Sequence, residues 1–406
     1  MSDFSLTNLS PQVGAMISAG CLLLFVLYLA CGSRRHALRL RSIPIRIHVN
    51  GTRGKSTVTR LIAAGFREAG YRTIAKTTGT SARLLLEDGS ELELERPGPS
   101  NIGEQMEIVA FAARRHAQVL VLECMAVKPE LQRISQQHLV RGTCSVVTNV
   151  RPDHQEEMGE TLAEIAWNLG WVAPEGGLLV TAEQEEGAVA QLRARATGVA
   201  ARLLQVEAAD GVLPPDETGL QFPENVAVAL QVCALHGVER SVALAGILAA
   251  PPDPGALAVI NLDRGESSVP FVNAFAANDV VSTEQIIQQV RSTTLAQQVF
   301  VVASARTDRP RRTVDMAAMM SNGLGLSGAF LIGDGANLLE RMVRQQAPDL
   351  PVVNLSREPH GRVIERICQD VSGDACVIGV GNIVGAAADL WEYAVGQEAE
   401  NWQQSP

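Results

Sequence analysis

Lysine is scarce in this chain of 406 residues: only Lys55, Lys76 and Lys128 occur, and the other basic side chains are arginine or histidine. Positive charge is not in excess either. A net charge of −10 and a pI near 5.3 argue against general nucleic-acid binding. The seven cysteines (Cys21, Cys31, Cys124, Cys144, Cys233, Cys368, Cys376) contain no C-x-x-C spacing. Each sits among apolar neighbours, as expected for buried reduced thiols and not for disulfides or a zinc site. Low-complexity tracts and internal repeats are absent.

Charge is also missing near the start: none occurs between Asp3 and Arg34. Within that gap Val13 to Cys31 is apolar, and about 20 such residues suffice to cross ~30 Å of hydrocarbon as a helix. Arg34, Arg35, His36, Arg39 and Arg41 follow immediately. A cleaved signal peptide carries its basic residues before the apolar run, so a signal anchor is the better reading. Ser18-Ala19-Gly20-Cys21 is a weak lipoprotein signal, because the apolar run follows that cysteine instead of preceding it. The positive-inside rule places everything after Arg34 in the cytoplasm, which predicts a single-pass plasma (inner) membrane protein.

The richest stretch is Arg46–Arg60, RIHVNGTRGKSTVTR. Ile43, Ile45, Ile47 and Val49 alternate with polar residues and predict a strand; Thr57 to Ala69 predicts a helix stopped by Gly70. Between them lies Gly51-Thr52-Arg53-Gly54-Lys55-Ser56, a Gly-rich turn entering a helix N-terminus. This order makes a phosphate cradle. Lys55 is the candidate for the β/γ-phosphates and Ser56 for Mg²⁺, with Asn50, Gly51, Thr52, Arg53, Gly54 and Thr57 as further nucleotide contacts. The pattern lacks the first glycine of the longer Walker motif, where Val49 stands. A tight βα turn with a solvated lysine is the competing reading.

Apolar runs and helical stretches alternate through the rest, which predicts an α/β chain with parallel sheets covered by helices on both faces. Pro251-Pro252-Asp253-Pro254-Gly255 predicts a linker between two units, giving an anchor (1–35), a central unit (36–250) and a smaller C-terminal unit (251–406). Glu123 ends the apolar run Val119–Leu122. A buried carboxylate needs a cation or donor, and beside a phosphate loop Mg²⁺ is the simplest; a salt bridge to Lys128 or an arginine is the alternative. Asp153 and His154 occupy the same kind of turn after the next apolar run. Polar residues at 273–279 and at Arg306–Arg309 mark a second ligand crevice of unspecified chemistry, and the Gly-rich turn at 379–385 is a weak phosphate signal.

Seven segments together resemble the ligase-subunit family of poly-γ-glutamate synthases (PgsB/CapB), relatives of the Mur ligases and folylpolyglutamate synthetase. They are NGTRGKSTVTR (50–60), KTTGTSARL (76–84), PSNIGEQ (99–105), ECMAV (123–127), PPDPGA (251–256), FVNAFAANDVVST (271–283) and GVGNIVGAA (379–387). The resemblance implies a Mur-like ATP-binding domain, a Rossmann-like ligase domain and an acyl-phosphate route from ATP and glutamate to a γ-linked polymer. It assigns Lys55 to the transferring phosphoryl group, Ser56, Glu123 and His154 to metal, Asn225 to adenine, and Arg306 and Asp308 to the segment closing over the nucleotide. It also implies CapC-type and CapA-type membrane partners and a homo-oligomer. A carbamylated lysine downstream of the histidine, present in many Mur ligases, is excluded because no lysine follows Lys128. Two alternatives stand beside this: a ligase adding glutamate to a small acceptor, and a membrane-anchored nucleotide switch or ATPase powering export.

Overall fold

The computed structural model describes residues 11–78, 82–94, 96, 98, 100–207, 223–251, 257–264, 267–276, 280–294, 296–322 and 324–404. Residues 79–81, Pro97 and Pro99, Phe222, the linker 252–256, and 277–279 lie outside the described set.

The chain opens with α1 (Pro11–Ser42), β1 (Ile45–Asn50), α2 (Lys55–Glu68), β2 (Thr73–Lys76), β3 (Arg83–Leu85), β4 (Glu91–Glu93), α3 (Glu104–Arg114) and β5 (Val119–Glu123). Then α4 (Pro129–Ile134) runs into a π-helical turn (Ser135–Val140), followed by β6 (Cys144–Val147), α5 (Gln155–Met158) and α6 (Leu162–Leu169). Next come β7 (Leu178–Thr181), α7 (Glu186–Gly198), β8 (Arg202–Gln205), α8 (Pro223–Leu235) and α9 (Arg240–Leu248). The remainder is β9 (Ala258–Arg264), β10 (Ser267–Asn273), α10 (Val280–Thr294), β11 (Gln298–Ser304), α11 (Pro310–Ser321) and β12 (Gly328–Ile332). It ends with α12 (Ala336–Gln346), β13 (Val352–Asn354), α13 (His360–Asp370), β14 (Ala375–Gly381) and α14 (Ala386–Gln404).

The strands form two sheets, in the orders β4-β3-β2-β5-β1-β6-β7-β8 and β13-β12-β11-β14-β10-β9. Side-chain alternation explains why the first is covered on both faces. Val119 and Val121 of β5 pack with Val58, Phe66, Val228 and Ile247 of α2, α8 and α9. Leu120 and Leu122 point the other way, into Leu40, Ile108 and Val109 of α1 and α3. Each such fully buried side chain contributes about 1.5–3 kcal/mol.

The expected parallel pairing runs through the centre of both sheets, and antiparallel strands are added at their edges: β3 pairs antiparallel with β2 and β4, as β9 does with β10. The first of these hairpins turns at Asp88-Gly89, with Gly89 at φ 88°. Its strands have three residues each, too short to show a period; Leu84 and Leu85 are buried, while Arg83 and Glu93 make a cross-strand ion pair.

Among the described residues one helix is long and apolar enough to cross a membrane, over Ala15–Ser42, and its most apolar window is wholly exposed. It does not stop at the basic cluster. Its last turns enter the body, where His36 and Leu40 are buried and His36 Nε2 lies 2.8 Å from the Leu139 carbonyl. The Arg46 guanidinium donates to the carbonyls of Leu40 (3.0 Å) and Ile43 (2.6 Å), closing the helix end.

His48, fully buried on β1, sits 2.9 Å from the Gln136 side-chain oxygen, and burial pulls its pKa down to about 4. Unfolding restores the ordinary value near 6.5, so the unfolded chain takes up the proton first as pH falls. Stability from the neutral ring is complete above pH 6.5 and is lost between pH 6.5 and 4, by about 3 kcal/mol. His48→Gln is expected to flatten the pH dependence of the thermal midpoint over that window.

Candidate functional site

In the first sheet β1 is flanked by β5 and β6, with the earlier neighbours to one side and the later ones to the other. Such a switch point opens a crevice at the carboxyl ends of the strands. The turn after β1, the end of β5 and the turn after β6 all meet there.

The turn after β1 needs both of its glycines. Gly51 has φ 132°, and a Cβ on it would collide with the Thr148 side chain and stand 2.8 Å from the Thr148 nitrogen. Gly54 has φ 76° and starts α2; a Cβ there would lie 2.8 Å from Asn225 Oδ1 of α8. No side chain caps this helix start, which leaves its first-turn amides for an anion. The Lys55 ammonium is folded back, donating to the carbonyls of Gly51 (2.8 Å) and Thr52 (3.1 Å). Desolvation lowers its pKa, while the nearby Glu123 charge pulls it back up.

Opposite stands Glu123, 2% exposed. Its Oε2 accepts from the Ser56 hydroxyl at 2.8 Å and from the Thr78 amide at 2.6 Å. Among the described residues it makes no ion pair. Lys128, the alternative partner, instead lines a cleft of about 480 Å³ with Glu157, Trp167 and Trp171. A hydroxyl and a carboxylate side by side beside a phosphate loop are hard oxygen donors, the chemistry Mg²⁺ takes together with phosphate and water. The residues present fit that ion.

Three of the segments quoted above converge on this carboxylate. Lys76, fully buried at the end of β2, donates to Glu104 at 2.9 Å and approaches Met125 Sδ at 3.6 Å. Glu104 also takes Arg96 through two bonds, of 2.9 and 3.1 Å. Gln105 Nε2 donates to the Glu123 carbonyl at 3.0 Å. Residues 76–78 are thereby held where the Thr78 amide meets Glu123.

The turn after β6 supports the phosphate loop from the other side. The Asn149 carbonyl accepts from the Thr52 amide (3.1 Å), and its side-chain oxygen accepts from the Arg53 amide (2.9 Å). Thr52 Oγ1 accepts from the Arg151 amide at 3.0 Å. Buried Glu183 holds the turn in place, accepting from the Val150 amide (2.6 Å) and Arg151 Nη1 (3.0 Å). Asn50 is bonded through its amide group to Gln132 (2.8 Å) and the Leu169 carbonyl (3.1 Å), a framework role for that side chain. Thr57 lies in the first turn of α2.

His154 begins α5 in the left-handed region at φ 47°, with its side chain 42% exposed and Nε2 3.9 Å from Asp153. Among the described residues no group of three or more His, Cys, Asp or Glu side chains is placed to hold a metal. Arg306 and Asp308 pair with each other, at 2.9 and 2.8 Å. From the same stretch of chain it is Arg312 that reaches the first sheet, 3.5 Å from Asp153. Arg312, Glu183, Asn149 and Gln105 carry no individual assignment from the sequence; the basic run Arg309–Arg312 and the segment 99–105 were the visible signals.

Two family models match the chain: the Mur ligase middle domain over residues 49–202 and the poly-gamma-glutamate synthase CapB C-terminal domain over 259–397. PGA synthase CapB of Bacillus subtilis (strain 168) is 34% identical over 368 residues, covering 88% of this chain and 92% of the relative. Capsule biosynthesis protein CapB of Bacillus anthracis is 35% identical over 382 residues, covering 91% and 80%. A solved bifunctional folylpolyglutamate synthase/dihydrofolate synthase from Yersinia pestis, with Mn, AMPPNP and L-glutamate bound, superposes at a TM-score of 0.63. It covers 90% of this chain and 93% of that one at 16% identity, which shows a shared fold.

The Gly54–Asn225 contact yields a stability test. Gly54→Ala is expected to cost about 1–2 kcal/mol from the left-handed backbone alone, plus the clash with Asn225. In a double-mutant cycle read by denaturant unfolding, Asn225→Ala should recover the steric part and leave the backbone part. Strict additivity would show that the two residues do not touch.

Proposed function

The chain belongs to the CapB family of poly-γ-glutamate synthases, and on that premise we propose that it is an ATP-dependent ligase joining glutamates through their γ-carboxyl groups. The observation that carries this reading is Ser56 against buried Glu123, 2.8 Å apart, at the mouth of an uncapped Gly-rich helix start.

In this reading a γ-carboxylate oxygen attacks the γ-phosphorus of ATP, the bond to the bridging oxygen breaks, and ADP leaves. The amine of the next glutamate adds to the acyl-phosphate carbonyl; phosphate departs and the amine proton passes to solvent. Lys55 exchanges the carbonyls of Gly51 and Thr52 for phosphate oxygens and offsets charge on the transferring group. Ser56 and Glu123 would hold Mg²⁺, which when bound supplies Lewis-acid stabilisation of that charge. His154 would be a further metal ligand serving acyl-phosphate formation. With no lysine to carbamylate downstream, either a second ion would be held differently, with His154 as its ligand, or a single ion would suffice as the phosphate clamp.

The finer assignments follow the same reading. Residues 1–35 anchor the chain in the plasma membrane, 36–250 bind ATP, and 251–406 complete the ligase on the cytoplasmic side. CapC-type and CapA-type subunits are the partners, and the chain self-associates.

Membranes carrying the chain, given ATP, Mg²⁺ and labelled glutamate, are expected to form polymer. A short conjugate would favour a small-acceptor ligase, and phosphate release without amide would favour an export ATPase. Lys55→Ala should cut synthesis at least 100-fold with the fold intact; unchanged yield would remove the phosphate-loop role. Glu123→Gln should raise the Mg²⁺ requirement about tenfold or more, whereas a wild-type Mg²⁺ titration would make Glu123 a structural acid. A reporter fused after Pro406 should read as cytoplasmic, and an external signal would refute the orientation.

A further inference from the structure

We propose that Arg312 is a phosphoryl-contacting arginine delivered from the second sheet to the phosphate loop of the first, held on Asp153 until a nucleoside triphosphate replaces that partner. The inference rests on the ATP reading above and adds a residue that the family resemblance did not assign.

Arg312 lies in the first turn of α11, after β11. Its Nη2 is 3.5 Å from Asp153 Oδ1, and its Nη1 donates to Asn382 Oδ1 at 3.1 Å in the turn after β14. The other oxygen of Asp153 faces Arg53 Nη2, in the phosphate loop itself, at 3.2 Å. One carboxylate thus bridges a phosphate-loop arginine and an arginine of the other sheet. All three side chains are only 16–23% exposed, so water screens them little.

Two cations, Arg53 and Arg309, act on Arg312, against the single carboxylate of Asp153. Lys55 on the loop is held chiefly by Glu123, and only weakly by Asp153. A contact of 3.5 Å is long for a guanidinium–carboxylate hydrogen bond, and Arg312 commits few of its five N–H donors. The terminal phosphate of a triphosphate carries more charge than a carboxylate and matches the guanidinium fork. Displacing Asp153 from Arg312 would therefore draw the second sheet toward the loop only when that phosphate is present.

The test compares ADP and AMPPNP binding, with Mg²⁺, to the detergent-solubilised full chain. Wild type is expected to bind AMPPNP more tightly than ADP. Arg312→Ala should weaken AMPPNP about tenfold and leave ADP within about twofold. Arg312→Lys, a point charge without the fork, should fall between. Asp153→Asn removes the competing carboxylate and should leave AMPPNP affinity equal or higher. A purely structural bridge moves the other way: Arg312→Ala and Asp153→Asn would then weaken both nucleotides alike. That result, or an unchanged preference for AMPPNP in Arg312→Ala, overturns the inference while leaving the ATP reading intact. If wild type binds neither nucleotide, the ATP reading fails and the inference fails with it. Should Arg312→Ala not fold, Arg312→Lys and Asp153→Asn decide between the same outcomes.

Discussion

Glu123 is buried at the carboxyl end of β5 with no ion pair among the described residues. An uncompensated carboxylate in such a place costs several kcal/mol, so the surroundings must supply dipoles and field. The fold does this from three directions. The Ser56 hydroxyl comes from the start of α2, the Thr78 amide from the end of β2, and the Lys55 charge acts through space. Much of the neighbouring structure exists to keep those donors in place: the Lys76–Glu104–Arg96 network fixes the end of β2, and Gln105 fixes the Glu123 carbonyl. The result is a carboxylate that is stable when bare yet still suited to a hard cation.

That arrangement explains which parts of the molecule were legible in the sequence. β1, the Gly-rich turn and α2 were readable because each follows a local rule: alternation, glycine at positive φ, and helical periodicity. Glu123 was readable because a charge at the end of an apolar run is anomalous by itself. The supporting residues were not. Gln105, Asn149 and Glu183 are ordinary polar residues whose roles arise from contacts 18 to 96 residues away in the chain. The β3–β4 hairpin escaped because strands of three residues are too short to show an alternation, although Leu84 and Leu85 are buried.

Arg306 and Asp308 show the same limit from the other side. Their stretch of chain was identified as functional, but at 2.9 and 2.8 Å they satisfy one another, and Arg312 in the next turn makes the reach to the first sheet. Position after a strand locates a crevice; which side chain spans it depends on where the second sheet stands. The N-terminal helix likewise has two different stretches joined in one element. Its apolar stretch is exposed, and its last turns are buried in the body through His36 and Leu40. The helix runs without a break from its exposed apolar stretch to the sheet face that α3 covers.

The central claim is that ATP activates a γ-carboxylate as an acyl phosphate before the amide forms. Supplying glutamate with both γ-carboxyl oxygens as ¹⁸O, and analysing the released inorganic phosphate by mass spectrometry, tests it directly. One ¹⁸O in the phosphate for each amide bond formed is the expected result, because the attacking carboxylate oxygen leaves with phosphorus. Phosphate free of ¹⁸O, with polymer still accumulating, would contradict the account.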